Sequence, residues 1–294
     1  MEKPGSISSN SDMPPPKSSP SKPSTPKWKN IGIRAVTGFL IAFIAFIPFY
    51  LGGSYWTALV TLIAVLATWE WVRMSESQPT RLAYIIPIIG VICVMIGVYF
   101  ENYPVTFMMA FLLAALAGIE RARRKGAFWA ALGFLYIIVP AILLVFLRGK
   151  AMGPSAPGFQ DLIYVMLVVI AADTGAYFGG SYFRGPKMAP TLSPNKTWSG
   201  FFSGIGLACI IGVLTALFIG FSPVFGALFA IPVVVFSVIG DFLESGLKRK
   251  LDVKDSSGIL PGHGGVLDRV DSLMMAVVFV AVIHVFVPQI WPII

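Results

Sequence analysis

What most constrains this chain is a succession of apolar stretches, each of bilayer length, filling nearly everything from residue 31 to residue 291. We read nine, near 31–51, 54–72, 82–100, 104–120, 127–147, 160–179, 198–220, 223–243 and 270–291. Each approaches the roughly 17–25 apolar residues that a transmembrane helix requires. Charged residues make up only 12% of the chain, against about 25% in soluble domains, and the deficit is spread along the sequence rather than confined to one anchor. The expected fold class is therefore an all-α polytopic membrane protein with about nine transmembrane helices. Pro223 and Pro232 in the eighth stretch and the glycines of the seventh are tolerated in such helices and permit close packing.

Residues 1–29 form a different region. They are rich in Ser and Pro, carry scattered lysines and hold nothing to bury, so we expect a disordered cytoplasmic tail ahead of a transmembrane domain over 30–294. The tail does not have the layout of a secretory signal. Cys93 and Cys209 both fall inside apolar stretches and read as small buried hydrophobes, with no zinc or disulfide pattern.

The net charge of +8 sits in loops, not in a basic domain, which excludes a nucleic-acid partner. With the tail inside and nine crossings, all 22 Lys and Arg fall on the cytoplasmic side except Arg148 and Lys150. Such asymmetry is the positive-inside signal, and it places the polar residues of 173–199 and 241–271 at the cytoplasmic face.

Two clusters there carry candidate chemistry. In "AADTGAYFGGSYFRGPKMAPTLSPNKTWSG", residues 171–200, Asp173 lies inside an apolar helix, where an acid is costly and marks a candidate polar pocket. Lys196, flanked by Ser193, Asn195 and Thr197 at an expected helix start, forms a candidate anion site. Lys187 reads equally well as a topology residue. In the second cluster, residues 240–271, Asp241, Ser245 and Lys248 fall at i, i+4 and i+7 and share one helical face. Lys248, Arg249, Lys250 and Lys254 form a basic run. The glycines of "SSGILPGHGG", among them Gly264 and Gly265, can bring backbone N–H groups to phosphate oxygens. Asp268 and Asp271, at i and i+3, present two carboxylates to which Asp241 can add a third, a hard-oxygen set suited to Mg²⁺ bridging to phosphates. Interhelical salt bridges, for instance Asp268 with Arg249, are the structural alternative. His263 fits either a base or a phosphate donor, and His284 in the last span reads as a packed residue.

The stretch from Ser245 to Asp271 reads SGLKRKLDVKDSSGILPGHGGVLDRVD. It resembles the signature of the CDP-diacylglycerol synthases, or phosphatidate cytidylyltransferases, S-x-x-K-R-x4-K-D followed by P-x-H-G-G-x-x-D-R-x-D. "ADTGAYFGG" and "SPNKTWSG" resemble the companion motifs of that family, with Ser199 where members often carry Glu. The resemblance implies transfer of CMP from CTP to phosphatidate, giving CDP-diacylglycerol and pyrophosphate, with Mg²⁺ and a monovalent cation such as K⁺ as cofactors. It implies Asp241, Asp268 and Asp271 as metal ligands. Lys196, Lys248, Arg249, His263 and Asp268 become the catalytic candidates. Ser193, Asn195, Lys196, Ser245, Lys248, Arg249, Gly264, Gly265 and Arg269 become the substrate-binding candidates. CTP, phosphatidate and membrane lipids are the implied partners, a homodimer is a candidate assembly, and a bacterial inner membrane is the expected location.

Three other readings compete. A CTP-dependent lipid-alcohol kinase would release CDP instead of pyrophosphate. The CDP-alcohol phosphotransferases need a DG-x2-AR pattern and a D-x3-D spacing that this chain lacks. A transporter would distribute its acids through the bilayer and pair broken helices in two repeats.

Overall fold

The computed structural model describes residues 27–259 and 264–288, with backbone alone for 27–37 and 41. Among the described residues nine helices follow one another: α1 (Lys27–Leu51), α2 (Gly53–Ser75), α3 (Arg81–Tyr99), α4 (Tyr103–Ala122), α5 (Ala127–Arg148), α6 (Pro157–Phe183), α7 (Trp198–Ile219), α8 (Pro223–Lys250) and α9 (Leu267–Phe286). Among the described residues, α2 to α9 are the eight helices long and apolar enough to cross a membrane; α1 contributes a shorter apolar stretch, Gly38–Leu51. The all-α polytopic expectation holds. Its nine spans become eight full-length ones plus this shorter stretch.

Helix starts follow local chemistry. Thr80, Asn102, Thr197 and Ser222 each accept a backbone N–H of the first turn of α3, α4, α7 and α8, satisfying donors that would otherwise be orphaned. Pro104, Pro157 and Pro223 stand near helix starts, where no intrahelical N–H is lost.

Packing is set by small residues, because lipid offers no hydrophobic drive between helices. A methyl group on Gly204 of α7 would lie 2.7 Å from the Ala172 carbonyl oxygen of α6, and one on Gly212 would lie 2.4 Å from the Gly226 carbonyl oxygen of α8. These backbones therefore touch directly. On the other side of the bundle Trp71 of α2 fills the notch over Gly133 of α5 and donates its indole N–H to the Trp129 carbonyl at 2.8 Å. The outer surface is apolar, with Phe111, Leu112, Phe202 and Phe218 exposed, as a lipid-facing surface requires.

Two features differ from the sequence expectation. Between α6 and α7 the chain forms a small antiparallel hairpin, β1 (Lys187–Ala189) with β2 (Ser193–Thr197). "SPNKT" is thus a strand running into the Thr197 cap, not the first turn of a helix. The second is Arg148, counted among the loop charges on the outer side. It is 1% exposed and donates to the Phe49, Tyr50 and Ala151 carbonyls at 2.6, 2.9 and 2.7 Å. Its guanidinium ties the end of α1 to the end of α5.

Candidate active site

The polar residues collect at one end of the bundle, where α2, α6 and α8 finish and α7 and α9 begin. Because α8 runs unbroken to Lys250, Asp241, Glu244, Ser245 and Lys248 are rungs of one helix. Ser245 Oγ donates to Asp241 Oδ1 at 3.4 Å. One turn on, Lys248 Nζ reaches across to Asp268 Oδ1 of α9 at 2.8 Å and stands 3.5 Å from Glu244 Oε1. The bridge to Asp268 is made by Lys248, not by Arg249 as the salt-bridge alternative supposed. From the hairpin, Lys196 pairs with Asp241 and lies over the Phe242 ring at 4.8 Å.

Four aspartates from three helices face one space. Asp173 of α6, Asp241 of α8, and Asp268 and Asp271 of α9 line a cavity of about 390 Å³, with Arg269 and Ser272. A second cavity of about 210 Å³ is lined by Asn195, Lys196 and Thr197 together with Asp173, Gly200 and Gly204. Asp173 borders both, so the two clusters read separately in the sequence meet in space.

The loop between α8 and α9 is held by two carboxylates. Asp268 accepts the Ser256 N–H at 3.2 and 3.1 Å and the Gly265 N–H at 3.0 Å, besides Lys248. The other carboxylate is Glu70 of α2, which is fully buried. Its Oε1 accepts Ser257 Oγ at 2.5 Å and the Val266 N–H at 2.8 Å; its Oε2 accepts Ser256 Oγ at 3.1 Å and the Leu267 N–H at 2.8 Å. Glu70 thus caps α9 with a negative charge at the positive end of its dipole and pins both sides of the loop at once. The glycines are there for room. A methyl group on Gly265 would sit 1.7 Å from Ser256 Oγ and 2.8 Å from Glu70 Oε1, and Gly264 takes φ of 85°.

Of the residues singled out from the sequence, Asp173, Asn195, Lys196, Asp241, Ser245, Lys248, Asp268, Arg269 and Asp271 are brought to this site, with Gly264 and Gly265 in its loop. Arg249, exposed on the last turn of α8, and Ser193, at the start of β2, line neither cavity. His263 lies outside the described residues. His284 packs edge-on against Phe146 at 5.7 Å, far along α9. Ser199 Oγ accepts the Gly185 N–H at 3.0 Å and steadies the base of the hairpin. Sequence reasoning overlooked Glu70, Glu244, Ser256 and Ser257. An acid inside an apolar helix was the signal that selected Asp173, and the same signal was present at Glu70 in "TWEWVR".

Among the described residues no three metal-binding side chains are gathered into a preformed cluster. Mg²⁺ does not need one, since it keeps waters and takes one or two carboxylates plus substrate phosphates. Asp241 and Asp271, facing the same cavity, fit that donor set. The oxygens of Asp268 are already engaged by three protein donors.

Comparison with known proteins agrees with this architecture. Residues 32–287 match the model of the cytidylyltransferase family. A phosphatidate cytidylyltransferase of Pseudomonas aeruginosa is 36% identical over 85% of this chain and 96% of its own length. Those of Brucella suis and Haemophilus influenzae are 33% and 31% identical, over 84% and 87% of this chain and 90% and 96% of theirs. With its motif residues gathered around one polar cavity and the match running through eight of its nine helices and most of the other, this chain belongs to the cytidylyltransferase family.

Proposed function

We propose that the protein is a phosphatidate cytidylyltransferase: it transfers CMP from CTP to phosphatidate, forming CDP-diacylglycerol and pyrophosphate. One observation carries the reading. Lys196 and Lys248 stand at the rim of a four-aspartate cavity at the end of a lipid-facing bundle, where a headgroup from the membrane and a nucleotide from water can meet.

A phosphatidate oxygen attacks the α-phosphorus of CTP, and the bond to the β-phosphate bridging oxygen breaks. Such a displacement asks for in-line positioning and charge neutralisation, not a covalent nucleophile. Lys196 and Lys248 supply cations, each held ready by an aspartate. Ser245 orients Asp241, and Arg269 reaches the same cavity. Asp268 and Glu70 hold the loop, the Gly265 N–H being committed to Asp268, and so fix where α9 presents Asp271 and Arg269 to the cavity. Asn195, which lines the neighbouring cavity with Lys196, adds a polar partner for the triphosphate. Asp241 and Asp271 would hold Mg²⁺, which would supply further neutralisation of the phosphates with K⁺ as an accompanying cation, while Asp268, its oxygens taken by protein donors, positions Lys248 and the loop. The distribution of Lys and Arg supports a cytoplasm-facing site, and the bacterial sources of the relatives support a bacterial inner membrane.

The test uses purified protein, CTP labelled at the α-phosphate, and phosphatidate. Label should move to the lipid, pyrophosphate should be released, and chelation of Mg²⁺ should stop both. CDP as the soluble product would instead assign γ-phosphoryl transfer to a lipid alcohol.

A further inference from the structure

Below the polar cavity lies a second space with a different character. It measures about 300 Å³ and is lined by apolar side chains alone, among them Phe46 of α1, Trp56 and Ala64 of α2, Ala141 of α5, Met166 of α6 and Leu273 of α9. Met166 and Leu273 also line the four-aspartate cavity, so the two spaces share a wall. On α9, Arg269 and Asp271 border the polar space while Val270 borders the apolar one. Along α2 the lining runs from Ala67, one turn from Glu70, back to Trp56. At 1.5 Å per residue this is about 16 Å of depth.

We propose that this apolar cavity receives one acyl chain of the phosphatidate, with the phosphate held beside Lys196 and Lys248 at its polar end, so that its depth sets the acyl length the protein uses best. The proposal rests on the lipid substrate named above. Three things on the structure favour this occupant. The cavity opens beside the phosphate site, offers no polar partner to a nucleotide, and is elongated along a helix axis as an extended chain is. Lipid is as apolar as the cavity, so transfer between them gives little free energy. The cavity instead acts by shape: a chain seated in it fixes where the headgroup lies, and misplacement of a reacting group by about 1 Å costs on the order of a hundredfold.

The test compares dipalmitoyl- and dioctanoyl-phosphatidate in mixed micelles with the full-length protein and the variants Val60→Phe and Leu144→Phe, which fill the deeper part of the cavity, about 10 Å along α2 from Ala67. We expect kcat/KM for the long-chain lipid to fall roughly tenfold or more, while that for the short-chain lipid, which stops above the obstruction, stays near wild type. Equal loss with both lipids, or no loss with either, in a variant that remains monodisperse in detergent overturns the proposal. If Val60→Phe does not accumulate, Leu144→Phe, at a half-buried position, decides alone. Absence of turnover by the wild-type protein with both lipids refutes the phosphatidate reading itself, a result distinct from loss of chain-length dependence.

Discussion

Glu70→Gln tests how the catalytic loop is held. The substitution keeps shape but exchanges one carboxylate oxygen for an NH₂ group and removes the charge. Of the two donor pairs now accepted, Ser257 with Val266 and Ser256 with Leu267, only one can still face an oxygen. The serine in the other pair can turn and accept, but the backbone N–H beside it cannot. A buried donor left unpaired costs about 1–3 kcal/mol, and losing the negative charge at the start of α9 adds about 0.3–1 kcal/mol, up to ~2 when partly buried. The total, about 1.3–4 kcal/mol, corresponds to roughly 10- to 900-fold in kcat/KM if it is felt in the transition state. The assay is CTP- and phosphatidate-dependent release of pyrophosphate, with thermal unfolding in detergent measured alongside. We expect a large fall in kcat with a modest change in Tm, because most of the bundle does not touch the loop. Should Glu70→Gln keep kcat/KM within about twofold of wild type, less than 0.5 kcal/mol, the loop does not depend on this carboxylate and the reasoning is refuted.

Three further outcomes follow from particular contacts. Gly265→Ala places a methyl group on Ser256 Oγ and against Glu70, so turnover should drop at least as far as in Glu70→Gln, and a near-normal rate would show that the loop shifts freely. Arg148→Ala orphans three carbonyls at the other end of the bundle, a loss of about 3 kcal/mol or more; its Tm in detergent should fall while kcat per folded molecule stays close to wild type. Asp271→Asn should abolish turnover with membrane insertion intact, whereas His284→Leu, further along α9 and packed against Phe146 of α5, should retain most activity. Similar rates in those two variants would contradict the placement of the site.

The helical spans and the close packing of the Gly-rich α7 were legible because each depends on residues close in sequence: apolar run length and glycines about one helical turn apart. The hairpin was not, because β1 and β2 are stabilised by pairing across a turn within a segment that also carries helix-start chemistry. Asp241, Ser245 and Lys248 could be placed together from helical period alone. Which cation meets Asp268 could not, since Lys248 and Arg249 are adjacent in the chain and differ only in the direction each leaves α8.

What the sequence determined alone was the membrane bundle, the end at which its charges gather, and the resemblance that names its family. Glu70 marks the limit. From its neighbours it was one acid near the end of a span, a place where a charge often simply meets water. Only the tertiary structure brings to it a loop nearly two hundred residues further on and seals it there without solvent. Burial and partner choice are sums over contacts distant in the chain, whereas hydropathy and period are properties of a window.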